Sequence, residues 1–165
     1  MRWGFVICAM LVAQMTGFDA DAAVLLGFVD SGTRFALQRA VAGANRRLTG
    51  PGCLLLLTDF SDASGRKLSA ILAATGKDVF ATLAPLRFID DARASQCRNG
   101  TALAFTEAGG HVIHVCGPRL RARFLMDPAG VEMIVIHELL HVLGLGENPP
   151  TSEAITARVV ARCSD

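Results

Sequence analysis

Residues 128–143, PAGVEMIVIHELLHVL, constrain the fold of this 165-residue chain more than any other stretch. Asp127 is a good N-cap and Pro128 suits the first helical position. Gly144 supplies a left-handed C-cap, and Leu145 can fold back on the last turn. Between those ends, apolar side chains occupy nearly every bearing of the helix. A helix apolar all round belongs at the centre of a core, not on its surface. Yet this one carries His137, Glu138 and His141, and polar groups are costly to bury unless something satisfies them.

The spacing suggests what satisfies them. Residues four apart project from one helix face with Cβ atoms about 5–6 Å apart. That suits two imidazole nitrogens on one tetrahedral Zn²⁺. Glu138 lies roughly 100° further round the helix. It cannot readily join the same ligand set, but it can reach a water on the metal and take its proton as general base. With four histidines in the chain, a chance HExxH arises in only roughly 0.3% of shuffled sequences of this composition. The plainer reading is two core histidines bonded to carbonyls with Glu138 at the surface, and it would need several separate partners.

The rest of the chain reads as one α+β domain, residues 23–165, without repeats, low-complexity tracts or an obvious linker. A first helix over 32–48, capped by Asp30 or Ser31, buries Leu37, Val41, Ala44 and Leu48 at spacings of four, three and four. Cys53–Thr58 (CLLLLT), a continuous apolar run between turn residues, is expected to be a strand covered on both faces. A helix over 64–75, capped by Ser61 or Ser64, buries Leu68, Ile71 and Leu72 and closes at Gly76. Residues 78–85 suggest a short helix and 86–89 a short strand. TALAFT (101–106) and HVIHVC (111–116), joined by EAGG, form a β-hairpin that Gly117-Pro118 ends. A last helix over 152–163 lines Ile155, Val159 and Cys163 on one side. The expected architecture is a small mixed sheet with an edge hairpin, packed on about four helices around the central helix 128–143.

Residues 1–22 read as a signal peptide: Arg2 as a minimal positive region, a short apolar run from Trp3 to Gly17, and Ala20-Asp21-Ala22 as the cleavage site. The run is shorter than the ~20 residues that a spanning helix needs, so stable membrane insertion after cleavage is not expected. Cleavage near Ala22 would leave 15 basic and 13 acidic side chains, a net charge of +2. That is too weak for a nucleic-acid footprint. It would also leave four cysteines, Cys53, Cys97, Cys116 and Cys163. An even count behind a signal peptide points to two disulfides in a secreted or periplasmic setting. Three pairings are possible. The favoured one joins Cys97 to Cys116, stapling the hairpin, and Cys53 to Cys163, pinning the C-terminal tail. Asn99-Gly100-Thr101 fits a glycosylation sequon, but Asn-Gly is a common turn, and the turn is preferred.

From His137 the chain reads His-Glu-Leu-Leu-His-Val-Leu-Gly-Leu-Gly-Glu to Glu147. This resembles the metzincin branch of the zincin metallopeptidases, whose pattern is HExxHxxGxxH. The whole C-terminal stretch also looks like small secreted bacterial proteins labelled only as metallopeptidases. Gly144 matches the family glycine that turns the chain back beneath the metal, and Glu147 occupies the third-ligand slot. The resemblance therefore implies His137, His141 and Glu147 as zinc ligands and Glu138 as the catalytic base, with Glu153 and Asp165 as fallback ligands. It also implies a peptide or protein substrate that pairs with a strand bordering the cleft, here the hairpin 101–116. No methionine follows Met133, only 18 residues follow Glu147, and the chain has no tyrosine. The family's methionine turn, C-terminal subdomain and oxyanion tyrosine thus lack counterparts. His114, His111, Arg158 and Arg162 are the candidate substitutes for the last.

Three readings stay open. The first is a minimal secreted zinc endopeptidase. The second is a zincin-fold module that holds zinc with little or no turnover, favoured by the short C-terminus. The third is a metal-dependent ribonuclease resembling the bacterial rRNA-maturation endonucleases, which share the ligand spacing but lack the glutamate; the near-neutral charge opposes it.

Overall fold

The computed structural model describes residues 25–27 and 30–164, apart from residue 84. The expected signal peptide, residues 1–22, and the fallback ligand Asp165 lie outside the described residues. The architecture is α+β, as expected. In chain order its elements are β1 (Leu25–Gly27), α1 (Ser31–Leu48), α2 (Pro51–Leu54), α3 (Leu56–Asp59), α4 (Leu68–Ala74), α5 (Val79–Leu83) and β2 (Arg87–Asp90). There follow α6 (Ser95–Asn99), β3 (Ala104–Phe105), β4 (Val112–Val115), α7 (Gly117–Met126), α8 (Pro128–Val142) and α9 (Ser152–Cys163).

The strands form one mixed sheet in the order β1-β2-β4-β3. β1, β2 and β4 run parallel, and β3 lies antiparallel to β4 on the outer edge. Phe88 stands opposite Ile113 in the β2–β4 register, and with Val115 they are buried in the core. α8 packs against α1, α7, α9 and the edge strand β3. Its residues from Val135 to Val142 are all buried, the polar ones included. The apolar composition of this helix therefore has the consequence expected of it: the core is built around it.

The ends of the main helices follow their sequence signals. The Asp30 carboxylate accepts from the backbone N–H groups of Gly32 and Thr33, the Asp127 side chain from Gly130 N–H, and the Thr151 hydroxyl from Ala154 N–H. Each satisfies an amide that the first helical turn leaves without a partner.

Three expectations are corrected. Cys53–Thr58 is helical, not a strand: Pro51 opens α2, and α3 follows almost at once. Cys53, Leu56 and Leu57 are buried while Leu54 and Leu55 are 40% and 44% exposed. Burial at i, i+3 and i+4 is the helical period, which a run of four leucines conceals, because length and composition alone do not separate a buried strand from a buried helix. Similarly, Gly117-Pro118 does not merely end a strand. It opens α7, where proline stands in the first turn and Leu120 is buried. The expected helix 64–75 begins only at Leu68. Before it, the Asp62 carboxylate draws in the backbone N–H of Ser64 and Arg66 and the Arg66 guanidinium, closing a tight loop.

Both favoured disulfides are present: Cys53–Cys163, joining residues 110 apart, and Cys97–Cys116, joining residues 19 apart. Two such bonds suit an oxidising compartment. Among the described residues, no helix is long and apolar enough to cross a membrane.

Candidate metal centre

α8 delivers His137 and His141 to one spot from inside the core, where they are 4% and 6% exposed. At its C-terminus Gly144 adopts φ +103°. Gly144 N–H donates to His141 O and Leu145 N–H to Leu140 O, the paired bonds of a Schellman stop. The chain then reverses and brings Glu147 back over the helix. Its Oε1 lies 3.3 Å from His141 Nε2 and 3.8 Å from His137 Nε2, and the two Nε2 atoms are 2.9 Å apart. His137, His141 and Glu147 form a group able to hold a metal ion. The fallback Glu153 is exposed in the first turn of α9 and is not part of that group.

The far nitrogens of both rings are held as well. His141 Nδ1 lies 2.7 Å from the carbonyl oxygen of Leu145, and His137 Nδ1 lies 3.0 Å from the hydroxyl of Thr156 on α9. A carbonyl only accepts, so Nδ1 of His141 is the donor of this bond and its Nε2 is the atom turned towards His137 and Glu147. Partners of this kind fix the tautomer and orientation of metal-ligating imidazoles.

Glu138 is 4% exposed and stands beside the group, not within it. Its Oε2 is buried without a hydrogen-bond partner. Burial, and then the charge of Glu147, push its carboxyl up to about 8, against the pull of the Thr106 backbone N–H. Burial lowers His137 to about 4, helped by His141 and opposed by Glu147. Without a cation, the site at neutral pH therefore holds a neutral imidazole and a protonated acid, the low-charge state that a desolvated cluster adopts.

These groups line one cavity of about 470 Å³. The edge strand forms a second wall with Ala104, Phe105 and Thr106, and Glu107, Ala108 and His114 also reach it. The turn between β3 and β4 is fastened to the helix, since Gly109 N–H donates to the carbonyl of His141. His114 stacks on Phe105 with ring centres 4.8 Å apart, and its Nδ1 lies 3.1 Å from the Asp91 carboxylate.

Of the four residues offered in place of a tyrosine, the structure brings His114 alone to the cavity wall. His111 is exposed in the hairpin turn. Arg162 binds both carboxylate oxygens of Asp59, and Arg158 approaches the same group at 3.8 Å. Sequence reasoning missed Thr156 and the amide of Thr106. The first had one faint signal, a hydroxyl adjoining the core residue Ile155 on a short amphipathic helix. The second is a backbone group and leaves no mark in a sequence. No protein-family model, curated protein or solved structure matches the chain.

Proposed function

We propose that the chain is a zinc-dependent peptidase of a secreted or periplasmic compartment, hydrolysing peptide bonds with Glu138 as general base. The observation that carries this reading is the triangle of His137, His141 and Glu147 donor atoms beside an unpaired, buried Glu138 oxygen. Tetrahedral zinc with bonds of 2.0–2.2 Å sets its donors roughly 3.3 Å apart. The edges found here, 2.9, 3.3 and 3.8 Å, bracket that value. Two imidazoles and one carboxylate also match the donor chemistry of catalytic zinc sites.

A bound zinc ion would supply Lewis-acid activation of a water molecule, bringing its pKa towards neutrality. The chain supplies the rest. Glu138, whose carboxyl is pushed up to about 8, would serve as general base once a bound cation had drawn off its proton, accepting one from the water and passing it to the departing amine. Thr106 N–H steadies the carboxylate meanwhile. Among the described residues β3 is the outer strand of the sheet, and an extended peptide pairing along it would favour an unfolded or flexible substrate. His114, held by Asp91, is the hydrogen-bonding side chain of the cavity wall that we assign to stabilising an oxyanion.

One observation favours the alternative, a zinc-binding module with little turnover: among the described residues, the cavity is lined by no arginine, lysine or tyrosine. Two measurements separate the readings. Zinc content of the purified, disulfide-bonded chain tests the site. Cleavage of an unfolded protein substrate, compared with Glu138→Ala, tests the chemistry. Stoichiometric zinc with cleavage only by the unsubstituted chain supports a peptidase, and zinc with no cleavage by either supports the module.

A further inference from the structure

Among the described residues, the three most exposed large apolar side chains are Phe35 at 62%, Leu125 at 79% and Met126 at 76%. Large apolar groups left together in water mark a surface that a partner covers. Phe35 lies on α1, and the other two end α7. The two helices pack together. The Arg121 side chain of α7 lies against Gly32 of α1 and pairs with Asp30 at 3.1 Å. Phe35 is one turn past Gly32, and Leu125 is one turn past Arg121, so both lie within a turn of the point where the helices touch.

The charges on these helices have one sign. α1 (SGTRFALQRAVAGANRRL) and α7 (GPRLRARFLM) hold seven arginines and no aspartate, glutamate or lysine. Arg47 and Arg119 turn inward, to Glu132 and to the carbonyls of Cys97 and Ala102. Arg34, Arg39, Arg46, Arg121 and Arg123 are exposed. Of the acids at the helix ends, Asp90 accepts from Gly117 N–H, and Asp30 and Asp127 each pair with one arginine. Apolar side chains among arginines fit the boundary of an anionic bilayer, where the first enter the headgroup layer and the second meet phosphates. At such exposure the apolar groups protrude, which suits a soft layer able to close around them.

We propose that α1 and α7 dock the chain on an anionic phospholipid surface, with Phe35, Leu125 and Met126 in the headgroup layer and the exposed arginines against its phosphates. The chain rests on that surface without crossing it. No residue of α1 or α7 lines the cavity of His137 and His141. Met126 precedes the first turn of α8, and a rise of about 1.5 Å per residue puts the two histidines roughly 15–20 Å further along that helix. Docking therefore covers none of the cavity walls, and it does not depend on the metal reading.

The test is flotation of the purified, disulfide-bonded chain with vesicles of phosphatidylcholine alone, or of equal parts phosphatidylcholine and phosphatidylglycerol. The parent is compared with Leu125→Glu/Met126→Glu and with Arg34→Gln/Arg39→Gln. All three share residues 1–24, so a difference between them reports the two helices alone. The parent should bind the mixed vesicles, ignore the neutral ones and dissociate as salt screens the phosphates. Each arginine removed should weaken binding about fivefold, and the double glutamate variant should not bind. The substituted side chains are all exposed, so urea midpoints should match the parent's. Should the glutamates lower the midpoint, Leu125→Ser/Met126→Ser removes the same apolar groups. The proposal is overturned if the parent does not bind mixed vesicles, binds neutral ones equally well, or is matched by both variants. A parent that sediments as a dimer, is dispersed by the glutamates and binds no vesicle would assign the face to a second copy instead.

Discussion

Arg162, on the last helix, grips both carboxylate oxygens of Asp59, at 2.9 and 3.1 Å across 103 residues of chain. A two-pronged guanidinium–carboxylate pair is the ion-pair geometry that contributes measurably even near a surface. The hydrogen bond from Arg162, and after it the charges of Arg162, Arg158 and Lys67, hold Asp59 below its ordinary value of 3.8, against partial burial. A depressed carboxyl stabilises the fold above its unfolded pKa, and that contribution disappears as pH falls through the folded value. Asp59→Asn should therefore lower stability by about 1 kcal/mol at pH 7, and the difference should shrink as pH falls below 3.8 and vanish once the folded carboxyl is protonated. Urea unfolding at several pH values measures it.

Glu138 has the opposite sign. Its folded pKa of about 8 stands above the ordinary 4.5, so without metal the folded chain holds a proton that the unfolded chain gives up. Stability is full below pH 4.5 and declines as pH rises to about 8. Glu138→Gln should remove that slope and stabilise the metal-free chain at pH 8 by roughly 2 kcal/mol or more. Thermal melts in chelator at pH 5 and pH 8 provide the comparison, and a parallel pH dependence of variant and parent would count against a buried, protonated Glu138.

The two disulfides should differ in weight. Closing 110 residues removes more freedom from the unfolded chain than closing 19, about 5 against about 3 kcal/mol in the chain-entropy treatment. Cys53→Ser/Cys163→Ser should accordingly lower the denaturation midpoint more than Cys97→Ser/Cys116→Ser. It should also weaken Zn²⁺ binding, since α9 carries Thr156, whereas the shorter bridge holds α6 to the end of β4.

Gly144 and Gly146 give a paired test of the ligand turn. Gly144 sits at φ +103°, and an added Cβ would come within 3.4 Å of the Asp62 Cβ. Gly146 has open space around the same position and no left-handed φ. Gly144→Ala should cost about 1–2 kcal/mol and reduce metal affinity by displacing Glu147. Gly146→Ala should change stability by no more than about 0.5 kcal/mol. Melting temperature and zinc titration of the two variants report this directly.

What was legible in the sequence follows from the range of the forces involved. α8, its caps and the convergence of His137 with His141 are local matters of helical period. Glu147 also came within reach, because a left-handed glycine returns the chain by a known geometry. The cysteine pairing followed from where each residue fell between elements. Cys53–Thr58 failed because four leucines in succession satisfy both periods, and only packing against α9 shows which pair faces inward. α7 went unseen because Gly117-Pro118 was weighed as an ending, although the same dipeptide opens a helix equally well. Thr156 lies beyond such reasoning, since nothing local ties it to His137.

The bond from Gly109 N–H to the His141 carbonyl joins the hairpin to the helix like a tenon in its mortise. The opposing walls of the cavity are thus tied to each other directly through the backbone, at the residue that also carries one of the ring nitrogens of the site. On the proposed peptidase reading, a folded polypeptide would have to fray locally before its backbone could reach His137, His141 and Glu147.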